Sequence, residues 1–105
     1  MSNPDRIARL NTLLADAPGD SFLMHALALE YVKLGDDYRA RSLFEELLAV
    51  NPGYVGSYYH LGKLLERIGS VEEACPVYEK GIEKAEAAGD RHAAAELRQA
   101  LDELT

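Results

Sequence analysis

The chain has 105 residues, 48% of them apolar and 28% charged, which is typical of one folded globular domain rather than of a disordered segment. Its 18 acidic residues outnumber its 11 basic ones and leave a net charge of -7, which disfavours nucleic acid and anionic membranes as partners. The single cysteine, Cys75, cannot form an internal disulfide, and no segment has the apolar length of a signal peptide or a membrane span, so we expect a cytoplasmic protein.

Six helices and no strand are predicted from the apolar periodicity and the turn residues. In chain order they cover residues 4–16, 20–34, 37–50, 53–67, 71–88 and 91–103. Asn3 before Pro4 is expected to begin the first helix, because proline is tolerated at the first helical position. Pro18-Gly19-Asp20 and Asn51-Pro52-Gly53 separate consecutive helical patterns, and Gly35-Asp36 ends one helix and caps the next.

The second half of the chain follows the same order of signals. Gly69-Ser70 ends a helix, and Ser70 followed by Glu73 predicts a capping box at the start of the fifth helix. Pro76 lies inside that helix and predicts a local kink near its start. The last helix carries one apolar stripe, which suits a terminal cap that covers the core and shows a polar face to water. The stripe consists of Ala94, Leu97, Leu101 and Leu104.

An internal repeat explains this order, because residues 34 positions apart match along the chain without a change of register. The matched pairs are Pro18 with Pro52, Leu27 with Leu61, Gly35 with Gly69, Ala40 with Ala74, and Phe44 with Tyr78. The same spacing relates Leu10 to Phe44, so the front of the chain corresponds to the second half of a repeat. Each repeat is therefore a helix, a tight turn and a second helix.

Gly62 lies in the middle of the fourth helix, where glycine is unfavourable by about 0.5–1 kcal/mol relative to alanine. Its counterpart one repeat earlier is Ala28, so both positions carry a very small side chain. This pattern predicts a close approach of the partner helix at Gly62, with Ala40 and Ala74 as the small residues on the facing helices.

The pattern resembles the tetratricopeptide repeat, whose first helix carries a tryptophan, Leu-Gly and tyrosine, and whose second carries alanine, an aromatic and a closing proline. Neither repeat of this chain has the tryptophan, and Leu65 replaces the tyrosine in the second repeat. The first repeat has Met24, Leu27, Ala28, Tyr31, Ala40, Phe44 and Pro52 at these positions, and the second has Tyr58, Leu61, Gly62, Leu65, Ala74 and Tyr78. Glu86 stands where the second closing proline is expected, so the fifth helix should continue to a turn at Gly89-Asp90.

The resemblance implies an all-α fold, a short right-handed superhelical array of about six helices. We expect one domain over residues 1–105, made of a half repeat (1–18), two repeats (21–52 and 55–88) and a capping helix (90–105).

A member of this family is expected to bind a peptide or helix of another protein in a concave groove lined by the first helix of each repeat, as an adaptor or scaffold. The candidate contact residues are Phe22, His25, Leu29 and Lys33 in the first repeat and Tyr59, His60, Lys63 and Arg67 in the second. Lys63 and Arg67 lie one helical turn apart, so an acidic segment or a terminal carboxylate is the expected ligand group. Some relatives clamp a terminal carboxylate with asparagines, where this chain has Leu29 and His60.

Three alternatives stay open at this point. Phe22 and Leu29 can instead pack against the preceding half repeat, and Lys63 and Arg67 can form an ordinary solvated face paired with Glu66 or Glu30. The array can also assemble with copies of itself through its ends, as a weak homo-oligomer, with no role for the groove.

Catalysis is not expected, because the sequence contains no phosphate-binding glycine loop, no HExxH or CxxC motif and no serine flanked by glycines. His25, His60 and His92 lie on three equivalent helices and could converge, but three histidines without a fourth ligand are a weak indication of zinc. We therefore predict no metal, no cofactor and no catalytic residue.

Overall fold

The computed structural model describes residues 4–105, which contain six α-helices and no strand. The helices are α1 (Pro4–Asp16), α2 (Ser21–Leu34), α3 (Asp37–Val50), α4 (Gly56–Arg67), α5 (Val71–Ala87) and α6 (Arg91–Asp102). The chain divides into two compact units, one ending at Asn51 and the other covering Pro52–Thr105. The all-α prediction is confirmed, and among these helices none has the length and apolar character needed to cross a membrane.

In the first unit, α2 packs against both α1 and α3. Leu10 of α1 is buried together with Ala26 and Leu27 of α2, so the predicted half repeat covers one side of the first complete repeat. Gly35 ends α2 with a φ of 86°, a left-handed conformation that a side chain would strain. Asp36 then caps α3, because its carboxylate accepts a hydrogen bond from the backbone N–H of Arg39 at 3.1 Å.

A buried carboxylate joins α1 to α2 in this unit. Glu30 is only 3% exposed, and one of its carboxylate oxygens lies 3.4 Å from Nε of Arg6 and 3.2 Å from Nζ of Lys33. An isolated buried charge would be strongly unfavourable, and these two cations offset that penalty. The first unit therefore uses an ion-paired acid where the second unit, one repeat later, has the buried Leu64.

In the second unit, α5 packs against both α4 and α6, and α4 also contacts α6. The expected lengthening of α5 is confirmed: the helix continues to Ala87, and Gly89 makes the following turn with a φ of 72°. Asp90 caps α6 by accepting a hydrogen bond from the backbone N–H of Ala93 at 3.0 Å. Ala94, Leu97 and Ala100 of α6 are buried, as a capping helix requires.

Two details of the predicted helix starts are wrong. Ser70 precedes α5, but its side chain accepts no capping hydrogen bond, and the backbone N–H of Glu73 instead bonds to the carbonyl of Ser70 at 3.1 Å. The fourth helix begins at Gly56 rather than at residue 53, because the chain first makes a turn after Pro52 in which Ser57 N–H bonds to the Tyr54 carbonyl. The predicted cap at Asn3 lies outside the described residues.

The small residue at position 62 has a clear structural reason. A Cβ atom added to Gly62 would lie 2.1 Å from Cε1 of Tyr78, whose ring is fully buried against α4. The predicted size constraint is therefore confirmed, although the group that needs the space is the Tyr78 ring rather than Ala74. A second such pair has the helices reversed, since a Cβ on Gly81 of α5 would lie 2.6 Å from Cβ of Tyr58 in α4.

Candidate functional site

The candidate site in the second unit is built on the exposed side of α4. Its predicted residues Tyr59, His60, Lys63 and Arg67, which we call the α4 face, recur at helical spacing, and the first three are half-buried while Arg67 is exposed. The side chains of Tyr59 and His60 meet edge to face with ring centroids 5.6 Å apart, and Lys63 Nζ lies 5.6 Å from the centroid of the Tyr59 ring. Three of the four predicted residues thus form one local cluster on α4.

Lys63 is held by two carboxylates of unequal accessibility. Its Nζ lies 3.6 Å from Glu66, whose side chain is 25% exposed, and 3.9 Å from Glu103, whose side chain is 61% exposed. Glu66 also accepts a hydrogen bond from the hydroxyl of Tyr78. The alternative of a Glu66 partner for Lys63 is therefore correct, and the charge of this lysine is balanced within the unit.

A cavity of about 160 Å³ opens between α4 and α6, and we call it the α4–α6 cavity. Its walls are Tyr59 and Lys63 from α4, Glu96, Gln99 and Ala100 from α6, and Glu103, which directly follows α6. The α6 helix therefore has two roles, since its buried side completes the core and its polar side forms one wall of a site.

The polar cavity residues Glu96 and Gln99 of α6 and Glu103 after it were missed in the sequence, although a signal for them exists. The buried residues Tyr58, Leu61 and Leu64 of α4 correspond to Ala94, Leu97 and Ala100 of α6, each 36 positions later rather than 34. With this spacing His60, Lys63 and Arg67 correspond to Glu96, Gln99 and Glu103. The longer α5 shifts the register by two residues, and correcting for that shift identifies the second wall.

Burial favours the uncharged form of the His60 imidazole. Burial lowers the pKa of its imidazole below the ordinary value of 6.5, and the nearby Glu96 opposes this shift without cancelling it. The α4 face therefore carries its positive charge on Lys63 and Arg67 alone. Because carboxylates of Glu66 and Glu103 balance Lys63, this face is not a net positive strip.

The predicted contact residues of the first unit have different environments along α2. Phe22 is 67% exposed, so its ring is not part of the buried core. Leu29 is half-buried, and His25 lies edge to face on Phe44 with ring centroids 5.9 Å apart. Lys33 is exposed and its Nζ lies 3.2 Å from Glu30. Whether these residues share one groove with the α4 face remains a prediction.

The three histidines show no sign of a common metal site. His92 is well exposed and its Nε2 lies 3.7 Å from Glu96, while His25 packs on Phe44. Within residues 4–105, no group of three or more His, Cys, Asp or Glu side chains is arranged to hold a metal ion.

Comparison with known proteins identifies the repeat. The Tetratricopeptide repeat family matches residues 23–54 and 55–87, which together are more than half of the chain. The crystal structure of a tetratricopeptide repeat domain protein from Salinibacter ruber shares 44% sequence identity and a TM-score of 0.77, covering 81% of this chain and 94% of that one. A protein from Bordetella parapertussis has a solution structure with 26% identity and a TM-score of 0.82, covering 99% of this chain and 89% of its own.

A curated relative is much longer than the matched region. Human aspartyl/asparaginyl beta-hydroxylase is 30% identical over 81 residues, or 77% of this chain, and the match spans only 11% of the hydroxylase. Tetratricopeptide repeats generally mediate protein–protein interaction and are typically not catalytic. The two matched segments, the buried residues at their signature positions and the helix pairs they form lead to one conclusion: this chain belongs to the tetratricopeptide repeat family.

Proposed function

We propose that this protein is a binding module that takes up a peptide or helix of a partner protein on the exposed faces of its first helices. The α4 face provides Tyr59, His60, Lys63 and Arg67, and the equivalent residues of α2 are Phe22, His25, Leu29 and Lys33. The observation that carries the proposal is the open α4–α6 cavity, which places an aromatic ring, a lysine and a side-chain amide next to one another. Tyrosine and arginine are among the side chains that most often dominate binding energy.

The ligand group that we propose for the α4 face is a carboxylate, from an acidic side chain or a chain terminus. Lys63 and Gln99 supply hydrogen-bond donors in the α4–α6 cavity, and Arg67 lies one helical turn beyond Lys63. The role is that of an adaptor or scaffold without catalytic chemistry, acting in the cytoplasm. The unpaired Cys75 supports a reducing compartment.

Self-assembly through the ends of the array is less well supported. Arg6 occupies the position that Ala40 and Ala74 hold in the complete repeats, and a long ion-paired side chain there hinders the close approach of another helix. At the other end, the large exposed apolar residues of the described chain all precede α6. A monomeric mass across a wide concentration range would exclude the assembly role.

The test is affinity capture with three matched forms of the protein. The first is the intact chain, the second carries Tyr59→Ala, Lys63→Glu and Arg67→Glu, and the third is the control with Tyr38→Ala, Lys80→Glu and Lys84→Glu. The control makes nearly the same chemical changes and an equal change of net charge, but on α3 and α5 instead of α4. Tyr38 is 82% exposed, so its loss should leave the core intact.

The expected result is a partner that the intact and control forms retain and the α4 variant loses. Its binding segment should then shift the amide NMR signals of α4 and α6 in the intact protein. Equal retention by all three forms, or capture of further copies of this chain alone, would contradict the proposed site. Circular dichroism must first show that all three forms are equally helical.

A further inference from the structure

The carboxylate of Glu103 lies at the rim of the α4–α6 cavity, directly after α6 ends at Asp102. The backbone N–H of Glu103 bonds to the carbonyl of Gln99 at 3.1 Å, so the last turn of the helix fixes where its side chain begins. From this position the side chain extends to Lys63, whose Nζ is 3.9 Å away. The helix that completes the core therefore also places an acid on the lysine of the candidate site.

The two acids on Lys63 differ in how firmly they are held. Glu66 lies on α4 itself, its side chain is three-quarters buried, and it accepts a hydrogen bond from the Tyr78 hydroxyl. If it moved away from Lys63, it would leave this buried hydroxyl without a hydrogen-bond partner. Glu103 is 61% exposed, its contact with Lys63 is longer, and no other side-chain hydrogen bond is seen for it in the described part of the chain. Exposed ion pairs of this kind contribute little to stability. Glu103 is thus the replaceable member of the pair.

We propose that Glu103 is an internal stand-in for the partner's carboxylate, occupying Lys63 in the free protein and moving aside when an acidic segment of the partner binds. This inference rests on the proposed function and adds a regulation to the same site. In the free protein Glu103 is the second carboxylate on Lys63, beside the firmly held Glu66. It also lowers the affinity for every acidic ligand, because the ligand must displace one exposed ion pair. Ligands that make further contacts with α4 are therefore favoured.

The experiment uses the full chain and two synthetic probes, hexaglutamate and hexalysine with free C-termini. Binding is measured by NMR titration at low ionic strength, where exposed charges are screened least. The test variant is Glu103→Gln, and the matched control is Asp102→Asn, which removes one negative charge from the neighbouring exposed residue. A Lys63→Ala variant reports whether the probe uses the lysine.

Glu103→Gln should bind hexaglutamate up to about fivefold more tightly than the intact protein, which is the factor that one exposed ion pair can supply. Asp102→Asn should raise the affinity for hexaglutamate by a clearly smaller factor, because it changes the net charge but leaves Glu103 on Lys63. Lys63→Ala should lose most of its affinity for hexaglutamate. Hexalysine should bind no more tightly to Glu103→Gln than to the intact protein.

Equal gains in Glu103→Gln and Asp102→Asn would overturn the stand-in, because net charge alone would then explain the effect. Equal affinity of intact protein and Glu103→Gln would also overturn it while leaving carboxylate binding at the α4 face intact. Tighter binding of hexalysine than of hexaglutamate by the intact protein would overturn both this inference and the acidic ligand of the proposed function. Absence of hexaglutamate binding in every form would likewise reject both.

Discussion

The two complete helix pairs, α2–α3 and α4–α5, fill the same four core positions in different ways. In α4–α5 the close contacts are Tyr58 with Gly81 and Gly62 with Tyr78. The residues 34 positions earlier, in α2–α3, are Met24 and Leu47 for the first contact and Ala28 and Phe44 for the second. In α2–α3 both residues at each of these positions have a side chain. In α4–α5 each position combines a tyrosine ring with a glycine, which has no side chain. Close packing constrains the summed volume at a helix crossing more than the identity of either residue.

This redistribution has consequences for polar groups. Met24 and Phe44 have no polar atoms to satisfy, whereas each tyrosine of α4–α5 needs a partner for its hydroxyl. Tyr58 donates to the carbonyl of Pro52 at 2.5 Å, and Tyr78 donates to Glu66. Through Glu66 the core of the second unit is connected to Lys63 of the α4 face, a link that the first unit lacks at the matching residues.

The largest expected effect on stability comes from giving α4–α5 the alanine that α2–α3 has at the position matching Gly62. In Gly62→Ala the added Cβ would overlap the buried Tyr78 ring, and overpacking of this kind costs about 1–3 kcal/mol. Alanine regains about 0.5–1 kcal/mol of helix propensity, and the severe overlap with a buried ring favours the upper end of the overpacking cost, so we expect a net loss of about 2 kcal/mol in the free energy of unfolding. Urea denaturation measures this value. The control is Gly56→Ala, where nothing lies within 4 Å of the added carbon and stability should not fall.

A double variant sharpens the same comparison. Adding Tyr78→Phe to Gly62→Ala recreates the Ala28 and Phe44 pair of the first unit and releases the ring from Glu66. We expect the double variant to recover part of the stability that Gly62→Ala loses, because the freed ring can shift away from the new Cβ. A double variant less stable than the sum of the two single effects would show that the α4–α5 spacing, and not the ring, sets the limit.

The next effect is a difference in alkaline stability. Burial raises the pKa of the Tyr78 phenol far above its ordinary value of 10.0, and the hydrogen bond to Glu66 raises it further. Above pH 10 the unfolded chain releases this proton while the folded chain retains it, so the stabilisation present at lower pH is lost as the pH rises. Each pH unit above that point should remove about 1.4 kcal/mol for this group.

Urea unfolding of intact protein and Tyr78→Phe at pH 9 and pH 11 tests this difference. At pH 9 the Tyr78→Phe variant should be less stable than the intact protein. Between pH 9 and pH 11 its free energy of unfolding should fall by less, because phenylalanine has no proton to release. Tyr38→Phe, which changes an exposed ring, is the matched control. Its free energy of unfolding should fall between pH 9 and pH 11 by as much as that of the intact protein. An equal fall in Tyr78→Phe would mean that other groups govern alkaline unfolding.

The smallest effect concerns the helix caps at matching positions. Asp36 accepts the N–H of Arg39, so Asp36→Ala should lower the free energy of unfolding by about 1 kcal/mol. Ser70, one repeat later, makes no such bond through its side chain, and Ser70→Ala should change stability by less than about 0.5 kcal/mol. Thermal denaturation of both variants measures the contrast. A comparable loss in Ser70→Ala would indicate that the serine hydroxyl caps α5 in solution.

Much of the fold could be predicted because its signals are local. The left-handed glycines Gly35, Gly69 and Gly89, with φ values of 86°, 84° and 72°, end α2, α4 and α5 where the turn residues indicated. Asp36 was recognised as a cap because its side chain needs only its own neighbours. The capping box at Ser70 failed for the opposite reason, since its spacing is necessary for the motif but does not determine the rotamer.

The site was predicted less completely than the fold. Tyr59 and Lys63 were found because they repeat the spacing of α2, and the structure places both beside the α4–α6 cavity. Glu103 was not found, because α5 has 17 residues where α3 has 14 and the repeat spacing no longer applies beyond it. The second acid on Lys63 was missed for the same reason, since Glu103 directly follows a helix that was assigned only to the cap.

The amino-acid sequence by itself determined the number and order of helices, the family and the positions where only small side chains fit. These properties follow from local backbone preferences and from a repeat that compares the chain with itself. The tertiary structure alone decided that the Tyr78 ring fills the space at Gly62, that Gly81 receives Tyr58, and that Glu103 reaches Lys63. Each of these contacts joins different helices, and its geometry depends on how the helices cross and not on any local preference.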